Sequence, residues 1–223
     1  MKSPVTEDEP DRDVEHGLLK VWTGLSCLWF AMPFAAMLVD PFYQSPLGFV
    51  LALALAAAFP LSWHLSFLAL PVNKAITPLL GIARCSVINL HKAIAWRTVF
   101  WGSLHALGEL IYLMAHGGFL KIFQLRWQHG ENLLYLVGVA SALLLLSQAL
   151  LATVRFSLPK FKQYHRAMAV VLLLSATAHW TLDRRSPICL HAVTGVNHLL
   201  QHLLDTFYTY IPYLFTDLYH EIQ

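Results

Sequence analysis

The chain has 223 residues, 57% of them hydrophobic and 13% charged, whereas a soluble domain carries about a quarter charged residues. This excludes a water-soluble globular domain, and the formal net charge of +2, held in loops beside apolar runs, excludes a nucleic-acid partner and points to lipid headgroups instead. Cys27, Cys85 and Cys189 are isolated, with no CxxC spacing, so neither a disulfide framework nor a zinc site is indicated.

Residues 1–20 include TEDEPDRDVEH, an acidic run that predicts a disordered cytoplasmic tail and no cleavable signal peptide. Residues 21–223 read as one transmembrane domain. Its first apolar run, 21–39, is interrupted by Pro33 and followed by a turn at DPFYQSP. The second, 47–70, contains Pro60, which predicts a kink, with Trp63 and His64 near its end. PVNKAITPLLGIA is a connector, so the third helix is predicted from near Arg84 to about Ala115. HGGFLKIFQLRWQHGEN is a loop, and 133–154 is a span without charge. After RFSLPKFKQYHR comes a fifth span, 167–182, which must begin near Tyr164 to cross a core of ~30 Å. The last stretch, 193–215, includes His198, His202, Asp205 and Pro212 and reads as a sixth span or an interfacial helix.

The fold class is therefore all-α, a bundle of five or six membrane-spanning helices. With the N-terminus inside, the inner segments collect Lys2, Arg12, Lys20, Lys74, Arg84, Arg155, Lys160, Lys162 and Arg166, against Lys121, Arg126, Arg184 and Arg185 outside. The positive-inside rule thus predicts an integral membrane protein with a cytoplasmic N-terminus.

One spacing recurs. His91 and His105 are fourteen positions apart on the third span, and His165 and His179 are fourteen apart on the fifth. Fourteen residues make just under four helical turns, so both histidines of each helix share a face, about 21 Å apart along the axis. Both helices are odd-numbered spans and run the same way, which lets His91 face His165 and His105 face His179 at two depths. Two neutral imidazoles on facing helices are what a six-coordinate heme iron requires. One metal ion held by all four is excluded by the axial rise. The bland alternative is that each histidine merely hydrogen-bonds a neighbouring helix.

LPVNKAITPLLG, then NLHKAIAWRTVFWGSLHALGE, then YHRAMAVVLLLSATAHW resemble the ferric reductase-like transmembrane domain shared by ferric-chelate reductases and NADPH oxidases. The resemblance covers roughly 68–180 and implies a bundle enclosing two b-type hemes whose axial iron ligands are His91, His105, His165 and His179. It implies electron transfer from a cytoplasmic donor to an outer acceptor such as chelated ferric iron, or dioxygen reduced to superoxide. Family members that work alone continue into flavin- and nicotinamide-binding domains, whereas this chain stops at Gln223 with no GxGxxG turn. FAD and NADPH are then expected only through a missing domain or a partner, the donor being a flavin-dependent reductase or a quinol. Two other readings are a non-catalytic heme-binding subunit that needs a separate reductase, and a metal-ion transporter using intramembrane histidines.

The remaining charges fit around the histidines. Arg84, Lys92 and Arg166 lie within about two turns of an inner histidine, so each can meet a heme propionate or a lipid phosphate. Arg97 is too deep for cheap contact with headgroups and needs an anion, an inner-heme propionate or, less readily, Glu109 of another copy. Trp101 and Phe100 lie between His91 and His105 in sequence, either bridging two hemes or simply packing. Glu109, His116, Arg126 and His129 are candidates for an outer substrate pocket. His198 and His202 have the i, i+4 spacing of a metal pair but lack the glutamate of a metalloprotease.

Overall fold

The computed structural model describes residues 9–68, 84–118, 131–155 and 159–182. The expected sixth span, with His198 and His202, and the loop positions Arg126 and His129 lie outside the described residues. Those residues form five α-helices: α1 (Glu9–Met37), α2 (Pro46–Phe67), α3 (Arg84–Ala115), α4 (Glu131–Thr153) and α5 (Phe161–Leu182).

The sequence places α2 to α5 within about three residues of these bounds, but α1 begins inside the run read as disordered tail. Glu9, Pro10 and Asp11 occupy its first turn, where a proline loses no needed donor. Pro33 and Pro60 each lie inside a continuous helix, so neither ends its span. The DPFYQSP turn is a 3₁₀ turn at Pro41–Gln44 in which the Asp40 carboxylate accepts from Phe42 N at 2.9 Å. The Ser45 hydroxyl then caps α2, accepting from Gly48 N at 3.1 Å. α3 stops where Gly117 takes a left-handed φ of 64°, which lets Gly118 N close on Leu113 O at 2.8 Å.

The helices run up and down. Trp22 of α1 packs on Trp63 of α2 with ring centres 5.5 Å apart, and Phe34 packs on Phe49 at 5.4 Å, so α1 and α2 are antiparallel. Thr23 meets Arg97 and Phe30 meets Trp101, which sets α3 parallel to α1. The end at which α1, α3 and α5 begin is called the near end below.

α2 and α3 form the most extensive interface, and small residues make it close. Ala54 has 0% exposure, and a Cβ added at Gly108 would lie 2.7 Å from Ala54 Cβ and 3.3 Å from Val50 O. Small residues at the contact are how helices approach in lipid, where association depends on packing. Leu65, Leu145 and Leu172 form the buried apolar cluster, with Leu61 and Val99 against it.

Large apolar side chains cover the outside, among them Val21, Phe100, Leu143 and Leu150, as a bilayer requires. By length and composition, 15–37 of α1, all of α2 and 133–153 of α4 can cross a membrane. α3 and α5 are long enough but less apolar, because they carry His91, Lys92, Arg97, His105 and Glu109 on one and Lys162, His165, Arg166 and His179 on the other. The molecule is a helical membrane bundle in which α3 and α5 carry the paired histidines.

Candidate cofactor site

α3 packs on α2 and α4, and α5 packs on α4, and α3 and α5 meet through their histidines. The His91 and His165 ring centres are 6.2 Å apart with planes at 86°, and those of His105 and His179 are 6.1 Å apart at 62°. N-terminal pairs with N-terminal and C-terminal with C-terminal, so the two helices are co-directional. The buried cluster lies between the levels, since Val99 is midway between His91 and His105 in sequence, and Leu172 midway between His165 and His179.

Three of the rings are oriented by main-chain carbonyls. His91 Nδ1 donates to Leu68 O at 2.8 Å, His105 Nδ1 to Ala54 O at 2.9 Å, and His179 Nδ1 to Leu134 O at 3.0 Å. A neutral imidazole that donates through Nδ1 has Nε2 as its lone-pair acceptor. In the far pair both rings are fixed in this way, so both Nε2 atoms are lone-pair acceptors that cannot hydrogen-bond each other and suit a shared Lewis acid. The exception is His165, whose Nδ1 is buried with no hydrogen-bond partner among the described residues. Phe161 stacks on that ring at 5.1 Å, and Gln148 Nε2 donates to the His165 carbonyl at 2.7 Å. Gly138 gives His179 its seat, because an added Cβ would lie 2.8 Å from Cε1 and 3.0 Å from Nδ1 of that ring.

The spacing of the rings tests whether an iron porphyrin suits these residues. A metal–imidazole bond of about 2.0–2.1 Å on each side of an iron sets two ring centres roughly 6 Å apart. A direct N–H···N hydrogen bond would draw them to about 5 Å. The donor set therefore fits two bis-histidine hemes.

The other candidates are distributed differently. Lys92 is exposed and Arg166 half-buried, each one position after a near-end histidine. Arg84 opens α3, and its side chain is not among those described. Arg97 is turned to α1, where it donates to Thr23 Oγ1 at 2.9 Å and to its own helix at Ala93 O, 3.2 Å. Trp101 packs against Phe30 of α1 at 5.2 Å and Phe100 at 5.0 Å, an interhelical packing role. His64, noted in the sequence only by its place, is fully buried, its Nε2 lying 3.4 Å from Ser26 Oγ. At the far end Tyr43 is held above the usual phenol range by burial, then by the charges of Asp40, Tyr112 and Glu109. His116 stacks on Tyr112 at 4.3 Å there.

Gly138, Gln148 and Phe161 are supporting residues that the sequence did not disclose. Gly138 and Gln148 sit in an apolar helix, where a glycine and an amide have no periodic signature.

The fold and site define a class: a helical membrane bundle with histidine pairs stacked at two depths between co-directional helices. Residues 47–176 match the family model described as ferric reductase like transmembrane component. The match covers more than half of the chain, which belongs to that family. It spans α2, α3, α4 and most of α5, and includes His91, His105 and His165. No curated protein and no solved structure matches the chain.

Proposed function

We propose that the chain is a transmembrane electron-transfer protein holding two b-type hemes, one between His91 and His165 and one between His105 and His179. The observation that carries this reading is the pair of ring separations, 6.2 and 6.1 Å, repeated at two levels. When bound, each heme supplies a one-electron iron couple. The protein's own part is to present neutral Nε2 atoms, fix three rings through Nδ1, and keep water out of the layer formed by Leu172, Val99 and their neighbours. A heme held by His91 and His165, or by His105 and His179, would supply outer-sphere electron transfer, with the histidines occupying the iron.

Lys92, Arg166 and Arg84 are the proposed propionate partners at the near end; for Arg97, whose guanidinium donates to Thr23 Oγ1 and Ala93 O, another anion is proposed below. The positive-inside distribution supports a cytoplasmic near end. The donor is then a flavin-dependent reductase carrying FAD and NADPH, or a quinol, and the outer acceptor is chelated ferric iron or dioxygen. A heme subunit serving a separate reductase uses the same two sites. The transporter reading is less well supported, since among the described residues no three histidine, cysteine or acidic side chains converge.

The test is a reduced-minus-oxidised visible spectrum of the purified protein with heme quantified per chain. Two low-spin hemes are expected, and His105→Ala should leave one. Protein that takes up no heme yet binds divalent ions would overturn the proposal.

A further inference from the structure

The near halves of α1 and α3 border a groove of about 430 Å³ lined by His16, Lys20, Thr23, Gly24, Cys27 and Arg97 together with Leu19. The α1 residues fall at helical spacing along one stripe, and none of the lining residues is acidic. Arg97 uses two of its five donors on neutral oxygens, Thr23 Oγ1 and Ala93 O. The bond to Ala93 draws its head one turn back toward the near end, where Lys20 and His16 lie. A cation at such depth needs an anion, and here the protein surrounds it with further bases. Elsewhere on the same two helices, Val21, Leu25 and Leu28 of α1 and Trp96 and Phe100 of α3 are exposed apolar surface. α1, which supplies six of the seven lining residues, lies outside the matched residues, whereas Arg97 lies within them.

We propose that this groove binds an acidic phospholipid of the near-end leaflet. Its phosphate is held by Arg97 and Lys20, and its acyl chains run over the apolar surfaces of α1 and α3. Positive charge in a groove between helices whose outer surfaces are apolar favours an anionic amphiphile over either a free anion or a neutral quinone. Gly24 is the floor of the groove: a Cβ there meets nothing within 4 Å, so a larger side chain would take up the lipid's space without displacing protein.

The experiment reconstitutes the full chain with equal amounts of phosphatidylglycerol and phosphatidylcholine of identical acyl chains and reads bound lipid by native mass spectrometry. Retention of phosphatidylglycerol should exceed that of phosphatidylcholine by about tenfold, and Arg97→Gln should remove most of the difference. Gly24→Leu should do the same with thermal stability retained. Gly17→Leu, also in open space on α1 but off the groove, should change nothing. Equal retention of the two lipids, or a preference that survives both groove substitutions, overturns the proposal. Displacement of the bound lipid by millimolar inorganic phosphate, or preferential uptake of an uncharged quinone, overturns it as well.

Discussion

His165 differs from the other three histidines, because among the described residues its Nδ1 has no hydrogen-bond partner, and Phe161 stacks on its ring. A stacked ring restrains tilt but does not fix a tautomer, so this is the site that loses most when its neighbour is cut back. Phe161→Ala is expected to lower the heme content from about two per chain toward one, with the loss at the His91–His165 level, measured by pyridine hemochrome and electron paramagnetic resonance. Gly138→Leu makes the complementary cut. Its side chain enters the space of the His179 ring, so the His105–His179 level should empty while the near level persists. Loss of both hemes in either variant would mean that the levels are not independent. The four histidines were legible in the sequence because an interval of fourteen, seen twice, is a statement about helix faces. Their supports were not, since Leu68, Ala54 and Leu134 act through carbonyls, which every residue possesses. Arg97 was recognised as a cation needing a partner, but a partner on α1 depends on which helices touch.

At the scale of elements, apolar runs, prolines and glycines located α2 to α5 closely, because the bilayer sets span length. The start of α1 escaped for a related reason: a helix can continue into water with charged residues on all sides, and hydropathy records only where the apolar part begins. Packing partners were not legible either. The α2–α3 interface rests on Gly108 lying against Ala54 and Val50 O, and the His105 bond to Ala54 O depends on that closeness. Gly108→Val should force the helices apart at an overpacking cost of about 1–3 kcal/mol. The expected readout is a thermal midpoint several degrees lower in detergent, together with reduced occupancy of the far level. Gly17→Val, with nothing near its Cβ, controls for helix propensity, and an equal loss in that variant would remove the packing explanation.

Across the whole molecule, α1, α3 and α5 point one way and α2 and α4 the other, and the histidine pairs stand at two depths separated by the Leu65, Leu145 and Leu172 cluster. About 21 Å of helix separates the levels, so neither pair alone reaches both surfaces of a ~30 Å hydrocarbon core. Two levels in series are then required for passage, which is a stronger condition than heme content. Vesicles reconstituted with the chain, loaded with ferricyanide and given an impermeant reductant outside, should bleach the trapped ferricyanide when both pairs are intact. His91→Ala and His105→Ala should each retain one heme and each lose almost all transfer, although different levels are interrupted. If one of them transferred at a rate near that of the parent protein, the levels would act in parallel and the second pair would be structural. A slow residual rate in both, equal to that of vesicles without protein, is the outcome that a serial path requires.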